Sequence, residues 1–200
     1  MSTQELLKEI FERNGFELSK EQIEKFSIYL KELRRWNRVH NLTAIEDTKE
    51  IAIRHFLDSL TLSLCFKEKN VDVEKNTLCD VGSGAGFPGA VLSIYYGPVL
   101  NITLIESVSK KCAFLEFIKA ELDLNYEVIC KRAEHINLEF DYAVCRALGK
   151  LKDIEPILLK LSKKGAFVMK GKELPEGYQF CKIDLKDIKD SYIIFIPKTK

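Results

Sequence analysis

Runs of apolar residues long enough to cross a membrane are missing from this 200-residue chain; none approaches the roughly 18 that a spanning helix needs. The opening segment MSTQELLKEIFERNG alternates charge at helical spacing and has no apolar secretory region, so a cytoplasmic protein is expected. An excess of one charge is absent as well. With 31 basic residues against 30 acidic ones, the net charge is +1. Bulk electrostatics therefore attract no anion, and a nucleic-acid partner must be met by a local patch. Metal-ligand spacing is lacking: there is no C-x-x-C pair, and His40, His55 and His135 lie far apart. Cys65, Cys79, Cys112, Cys130, Cys145 and Cys181 are widely scattered, several inside apolar runs where a thiol acts as a small hydrophobe. These features predict reduced thiols and no structural metal. Internal repeats and low-complexity segments are also missing. What remains is 46% hydrophobic and 30% charged, an ordinary composition for one domain with a full core.

Two textures divide the chain. Residues 1–70 read as a helical N-terminal extension. Leu6, Leu7, Ile10 and Phe11 form one face of a first helix, which Gly15 stops. Ser19 and Gln22 make a capping box for a second helix, whose apolar face runs Ile23, Phe26, Leu30, Leu33 and on to Trp36. A third helix is predicted from just after Asp47 to about Cys65. Residues 71–200 alternate strands and helices, the two regions together forming one compact unit. Strands are expected at 77–81, 102–106, 126–130, 142–147, 166–170, 178–185 and 191–197, with helices at about 87–96, 109–122 and 151–162. Strands separated by helices indicate a parallel sheet. About five residues separate the last two strands, too few for a parallel crossover, so they should form an antiparallel hairpin at a sheet edge. The expected fold is α/β: a Rossmann-like, seven-stranded sheet with a C-terminal antiparallel hairpin, preceded by the helical extension.

The first strand runs into Asp80-Val81-Gly82-Ser83-Gly84-Ala85-Gly86-Phe87-Pro88-Gly89. Glycines here allow positive φ and close backbone approach by a ligand, just before a helix N-terminus. Gly84, Gly86 and Gly89 match the dinucleotide spacing G-x-G-x-x-G, which is a weak signal alone. Asp80 with Gly82, Gly84 and Gly86 also matches the first motif of Rossmann-like methyltransferases. A carboxylate at Asp80 suits a cofactor carrying an ammonium and a nearby sulfonium better than a pyrophosphate. Glu106, at the end of the second strand, can accept from two ribose hydroxyls, a device that nicotinamide sites share. The terminal hairpin and the short chain favour S-adenosylmethionine as cofactor, with a nicotinamide-dependent oxidoreductase as the alternative.

Signals for particular target atoms are again mostly absences. No Asn/Asp-Pro-Pro-aromatic turn follows the fourth strand, and no cysteine follows a proline. His55, Asp58 and Ser59 share one helix face and so make no triad; capping or bonding to Asn41-Leu42-Thr43 is the preferred role, with shaping of a target pocket next. Several blocks in order, WNRVHNLTAI (36–45), RHFLDSL (54–60), DVGSGAGFPG (80–89), LIESVSKKCAFL (104–115), KRAEH (131–135), DYAVCRALGKL (141–151) and MKGK (169–172), make the chain from about 25 to 175 resemble the RsmG (GidB) family of bacterial 16S ribosomal RNA guanine-N7 methyltransferases. The tail after about 175 is a weak match. The resemblance implies methylation of guanine N7 in the RNA of the small subunit. That atom has a lone pair and no proton, so proximity and orientation suffice without a general base.

Carried over by the resemblance, the cofactor positions fall on Gly82, Phe87, Ala133, Glu134 and Arg146. Arg146 is the candidate positioning residue in catalysis, a salt bridge to Asp80 or Glu106 being its structural alternative. Lys31, Arg34, Arg35 and Arg38 lie at i, i+3, i+4 and i+7 and form a basic stripe suited to phosphates; Lys170 is a further candidate for contact with phosphate or base. The expected partner is 16S ribosomal RNA or the small ribosomal subunit, the protein itself being a monomer. A catalytically silent RNA-binding or assembly factor is the remaining alternative.

Overall fold

In the computed structural model, which describes residues 1–146 and 148–199, the helical region begins with a capped pair. Ser2 and Glu5 close a capping box at the start of α1 (Thr3–Arg13), and Ser19 and Gln22 close the expected one at the start of α2 (Lys20–His40). Asn41, in the left-handed region at φ 48°, ends α2. Asp47 caps α3 (Thr48–Ile51), which continues through a π-helical turn, Ala52–Leu57, into α4 (Asp58–Glu68). The rod thus spans the predicted third helix, with a widened turn that sequence periodicity does not reveal. Such turns recur at functional sites, and this one carries Arg54 and His55.

The sheet contains β1 (Thr77–Val81), β2 (Asn101–Glu106), β3 (Glu127–Cys130), β4 (Phe140–Arg146), β5 (Ser162–Gly171), β6 (Gln179–Ile183) and β7 (Ser191–Pro197). Its order is β3-β2-β1-β4-β5-β7-β6. β1 to β5 are parallel, while β7 runs antiparallel between β5 and the edge strand β6. The crossovers are α5 (Gly89–Tyr96), α6 (Ser109–Glu121) and α7 (Leu151–Leu161). Ala147, which the sequence placed at the end of the fourth strand, lies outside the described residues. Strand order reverses between β1 and β4, and the crevice beyond their carboxyl ends is where such sheets bind ligands.

Alternation along the strands sorts two cores. Leu78, Leu104, Val144 and Phe167 face one side, joined by Leu7, Phe26, Tyr29 and Phe56 from the N-terminal helices and Phe114 from α6. Cys79, Val81, Ala143, Cys145 and Val168 face the other side, under Ile154, Leu158 and Leu161 of α7. The N-terminal helices are therefore built into the larger core. Tyr29, Phe56 and Phe87 meet there with ring centroids 5.2–6.0 Å apart, each such pair worth about 1 kcal/mol beyond its buried area.

One expectation is overturned. Cys65 is bonded to Cys181 and Cys112 to Cys130, whereas Cys79 and Cys145 are free and buried. The partners are 116 and 18 residues apart in sequence. Only the packing of α4 beside β6, and of α6 beside β3, brings them together.

Candidate active site

The glycine loop turns its amides inward. Gly82 and Ser83 donate to the Ile105 carbonyl at 2.8 and 3.1 Å, and Gly86 and Phe87 donate to that of Ser83 at 2.8 and 3.0 Å. Gly84 donates to Glu106 Oε2 at 2.7 Å, and Gly89 donates to Asp80 Oδ2 at 2.8 Å. Dinucleotide loops leave such groups free to cradle phosphate. Here six of them are occupied by the protein itself. Asp80 is fully buried, and its Oδ1 finds no partner among the described residues. Burial outweighs the bond from Gly89 and pushes its carboxyl up to about 7.

Gly86 has φ 103°, and a Cβ there would run into the Tyr29 hydroxyl of α2 and come within 2.8 Å of the Ala90 methyl. That hydroxyl donates to the Ala85 carbonyl at 2.5 Å. Gly86 thus serves the approach of α2 and α5 to the loop. Gly84, at φ 57°, faces open space, with nothing nearer than the Gly82 carbonyl at 4.0 Å.

A cavity of about 520 Å³ opens above Gly82 and Gly84. Glu106, Ala133, Glu134 and Arg146 line it, with Leu148 and Ile154 adding apolar wall. Asp80, Gly86 and Phe87 stand behind that wall. Glu106 Oε1 accepts from the amides of Ser107 and Val108 at 2.8 and 2.9 Å, while Oε2 accepts, among the described residues, from Gly84 alone. A carboxylate offers about four lone-pair positions, so Oε2 retains one for a hydroxyl. Open space over Gly84 and this acceptor suit a nucleoside; the occupied amides do not suit a pyrophosphate.

Arg146, at the end of β4, is held from across the molecule. Its Nη1 donates to the Arg54 carbonyl at 2.6 Å and to Asp58 Oδ2 at 3.3 Å. Its Nη2 lies 2.9 Å from His55 Nδ1, and its guanidinium sits 5.2 Å above the Phe87 ring. His55 stacks on Phe87 at 4.5 Å with 9° between planes, and its Nε2 is 2.7 Å from Thr43 Oγ1. Burial, reinforced by the charges of Arg146 and Arg54, pushes His55 down to about 3. A neutral ring accepts from Arg146 through Nδ1 and donates to Thr43 through Nε2. Burial also raises Asp58, against the pull of Arg146. The ion pair of Arg146 is therefore with Asp58, neither Asp80 nor Glu106. The bond from His55 to Thr43 agrees with the role preferred from sequence; the clamp on Arg146 was not foreseen. RHFLDSL was visible as a block, but nothing local shows that a strand 90 residues later ends against it.

Arg146 also lines a second cavity, of about 780 Å³. Ile45, Ile53 and Met169 give this chamber apolar walls, and Asp58 and Lys170 give it charge. Lys170 Nζ donates to the Gly149 carbonyl at 3.1 Å and pairs with Glu173 at 3.1 Å. The basic stripe is divided. Lys31, Arg34, Arg35 and Arg38 are all exposed, but Arg35 lies 2.8 Å from the buried carboxylate of Glu32 and over Phe117. Arg34 Nη1 donates to Thr48 Oγ1 at 3.3 Å. Trp36 packs between His40, Phe114 and Phe117.

Comparison with known proteins places these features. Residues 22–186 match the GidB family, described as rRNA small subunit methyltransferase G. The chain is 47% identical over 194 residues to "Ribosomal RNA small subunit methyltransferase G" of Aquifex aeolicus, covering 95% of this chain and 98% of that one. It is 40% identical over 157 residues to the protein of the same name from Macrococcus caseolyticus, covering 76% of this chain but 64% of the longer relative. Among solved structures, magnesium protoporphyrin IX methyltransferase from Synechocystis with bound SAM superposes at a TM-score of 0.60 and 12% identity. The match covers 92% of this chain and 99% of that one, and it establishes a shared fold.

Proposed function

The chain belongs to the rRNA small subunit methyltransferase G family, and from there we propose that it transfers a methyl group from S-adenosylmethionine to N7 of a guanine in 16S ribosomal RNA. The observation that carries this reading is the pair of cavities meeting at Arg146, one suited to a nucleoside cofactor and one open to a second reactant. When bound, the cofactor supplies an electrophilic methyl group on a sulfonium. Glu106 would accept from its ribose hydroxyls, the segment at Ala133 and Glu134 would border its base, and Gly82 and Gly84 would let it lie against the backbone. Asp80, with one oxygen on Gly89 and the other without a partner among the described residues, supports the loop beneath.

Arg146 orients the reacting groups and takes no proton. The attacking nitrogen has none to give, which agrees with a site whose one histidine is held neutral by its neighbours. Lys31, Arg34, Arg38 and Arg35, with Lys170 nearer the chamber, would meet phosphates of the ribosomal RNA, making binding weaken as salt rises. The protein would work as a cytoplasmic monomer on the RNA or the small subunit. No helix among the described residues is long and apolar enough to cross a membrane, and no metal-ligating cluster is found among them.

Isothermal titration tests the cofactor. S-adenosylmethionine should bind and lose its site in Gly82→Arg, because the new side chain enters the cavity, while NAD and NADP should give no heat. Binding to a nicotinamide cofactor alone would make the protein an oxidoreductase.

A further inference from the structure

The chamber beyond Arg146 carries the means to tell guanine from adenine, and this inference rests on the function proposed above. An arginine has five N–H groups. Three of them are used by the Arg54 carbonyl, Asp58 and His55, leaving two without partners among the described residues. Asp58 engages Arg146 through Oδ2 only, so its Oδ1 is likewise unengaged among the described residues, and its side chain borders the chamber. Arg146 borders both cavities whereas Asp58 borders only the chamber, so the arginine stands nearer the cofactor cavity than the carboxylate does, beside the apolar walls of Ile45, Ile53 and Met169.

The edge of guanine runs in the complementary order: N7, then the O6 acceptor, then the N1–H and 2-amino donors. With N7 turned to the cofactor cavity, O6 falls at Arg146 and the donors fall at Asp58. Arg146 cannot also bond N7, since that would occupy the lone pair that must attack. We propose that Asp58 is a specificity-determining residue whose carboxylate accepts from N1–H and the 2-amino group of the target guanine, while Arg146 donates to O6. Adenine would set an amino group against the arginine and an unprotonated N1 against the carboxylate, so both positions reject it.

The test uses small subunits rebuilt with ligated 16S RNA, in which the guanine that the wild-type protein methylates is replaced by inosine. Inosine keeps O6 and N1–H and lacks only the 2-amino group. Wild-type kcat/KM should fall roughly ten-fold or more on inosine. Asp58→Ala, and the isosteric Asp58→Asn should the first not fold, will lose rate on both substrates because Arg146 is loosened. Their guanine-to-inosine ratio should nevertheless drop close to one. An unchanged ratio in the variants would reduce Asp58 to a holder of Arg146. Equal wild-type rates on the two substrates would overturn the contact outright. No methylation of guanine by the wild type would count instead against the function itself.

Discussion

Arg146 is gripped by a carbonyl, a carboxylate and an imidazole while lying over an aromatic ring. Only a planar fork meets all four at once, and a lysine offers a point charge on a flexible stem. Arg146→Lys is expected to lower kcat/KM by about 100-fold, the scale seen when one preorganised donor is removed, with the thermal midpoint shifted little. Steady-state assay with labelled cofactor checks this. His55 gives a second prediction at the same scale. Its native pKa of about 3 lies below its ordinary 6.5. The unfolded chain therefore binds the extra proton first, and this residue's contribution to stability falls as pH drops below about 6.5. Asp80, raised to about 7, acts in the opposite sense, favouring the folded state at low pH and losing that advantage as pH rises toward 7. Comparing variants isolates the histidine. His55→Gln should gain on the wild type by about 1–2 kcal/mol between pH 7 and pH 5, measured by urea unfolding at each pH. Parallel curves at the two values would mean that His55 takes up its proton over the same pH range in the folded and unfolded protein, without the downward shift.

Within the loop element, two glycines that look equivalent in sequence do different work. Gly86 sits under Tyr29 and Ala90 at φ 103°, so Gly86→Ala combines backbone strain with overpacking and should cost about 3 kcal/mol of stability. Gly84 faces open space at φ 57°, and Gly84→Ala should cost about 1 kcal/mol while weakening cofactor binding at least as much as its neighbour. Denaturant melts paired with cofactor titrations separate the two effects; equal costs would mean that α2 does not bear on the loop. The order of elements was legible because each has a local cause. Ser19 with Gln22 marks a helix start, alternation marks strands such as Thr77–Val81, and a short gap marks the last hairpin. The loop and Glu106 were legible because a cofactor crevice follows from a strand–glycine–helix pattern. The clamp of His55 and Asp58 on Arg146 was hidden, because it depends on where α4 docks against the end of β4. The cysteine pairs were hidden for the same reason, since spacing along the chain says nothing of distance across it.

Over the whole molecule, one core runs from Leu7 in α1 to Ile193 in β7, and Tyr29 and His55 reach the loop and Arg146 from the helical side. The helical extension should not melt apart from the sheet. Circular dichroism and tryptophan fluorescence from Trp36 are expected to follow one transition, whereas an earlier fluorescence change would show an independent arm. The Cys65–Cys181 bond closes most of the chain, and reducing it should lower stability by up to about 4 kcal/mol. Alkylation of the unfolded, unreduced protein should then find two thiols, and six after reduction; six before reduction would exclude both bonds.

The most direct test of the function is to incubate the purified chain with methyl-labelled S-adenosylmethionine and small ribosomal subunits, then cleave the RNA chemically at N7-methylguanine. Label confined to a single 16S guanine, with strand cleavage there that appears about 100-fold more slowly with Arg146→Lys, is the predicted result. Label at another atom or on another RNA, or cofactor binding without any transfer, would contradict it.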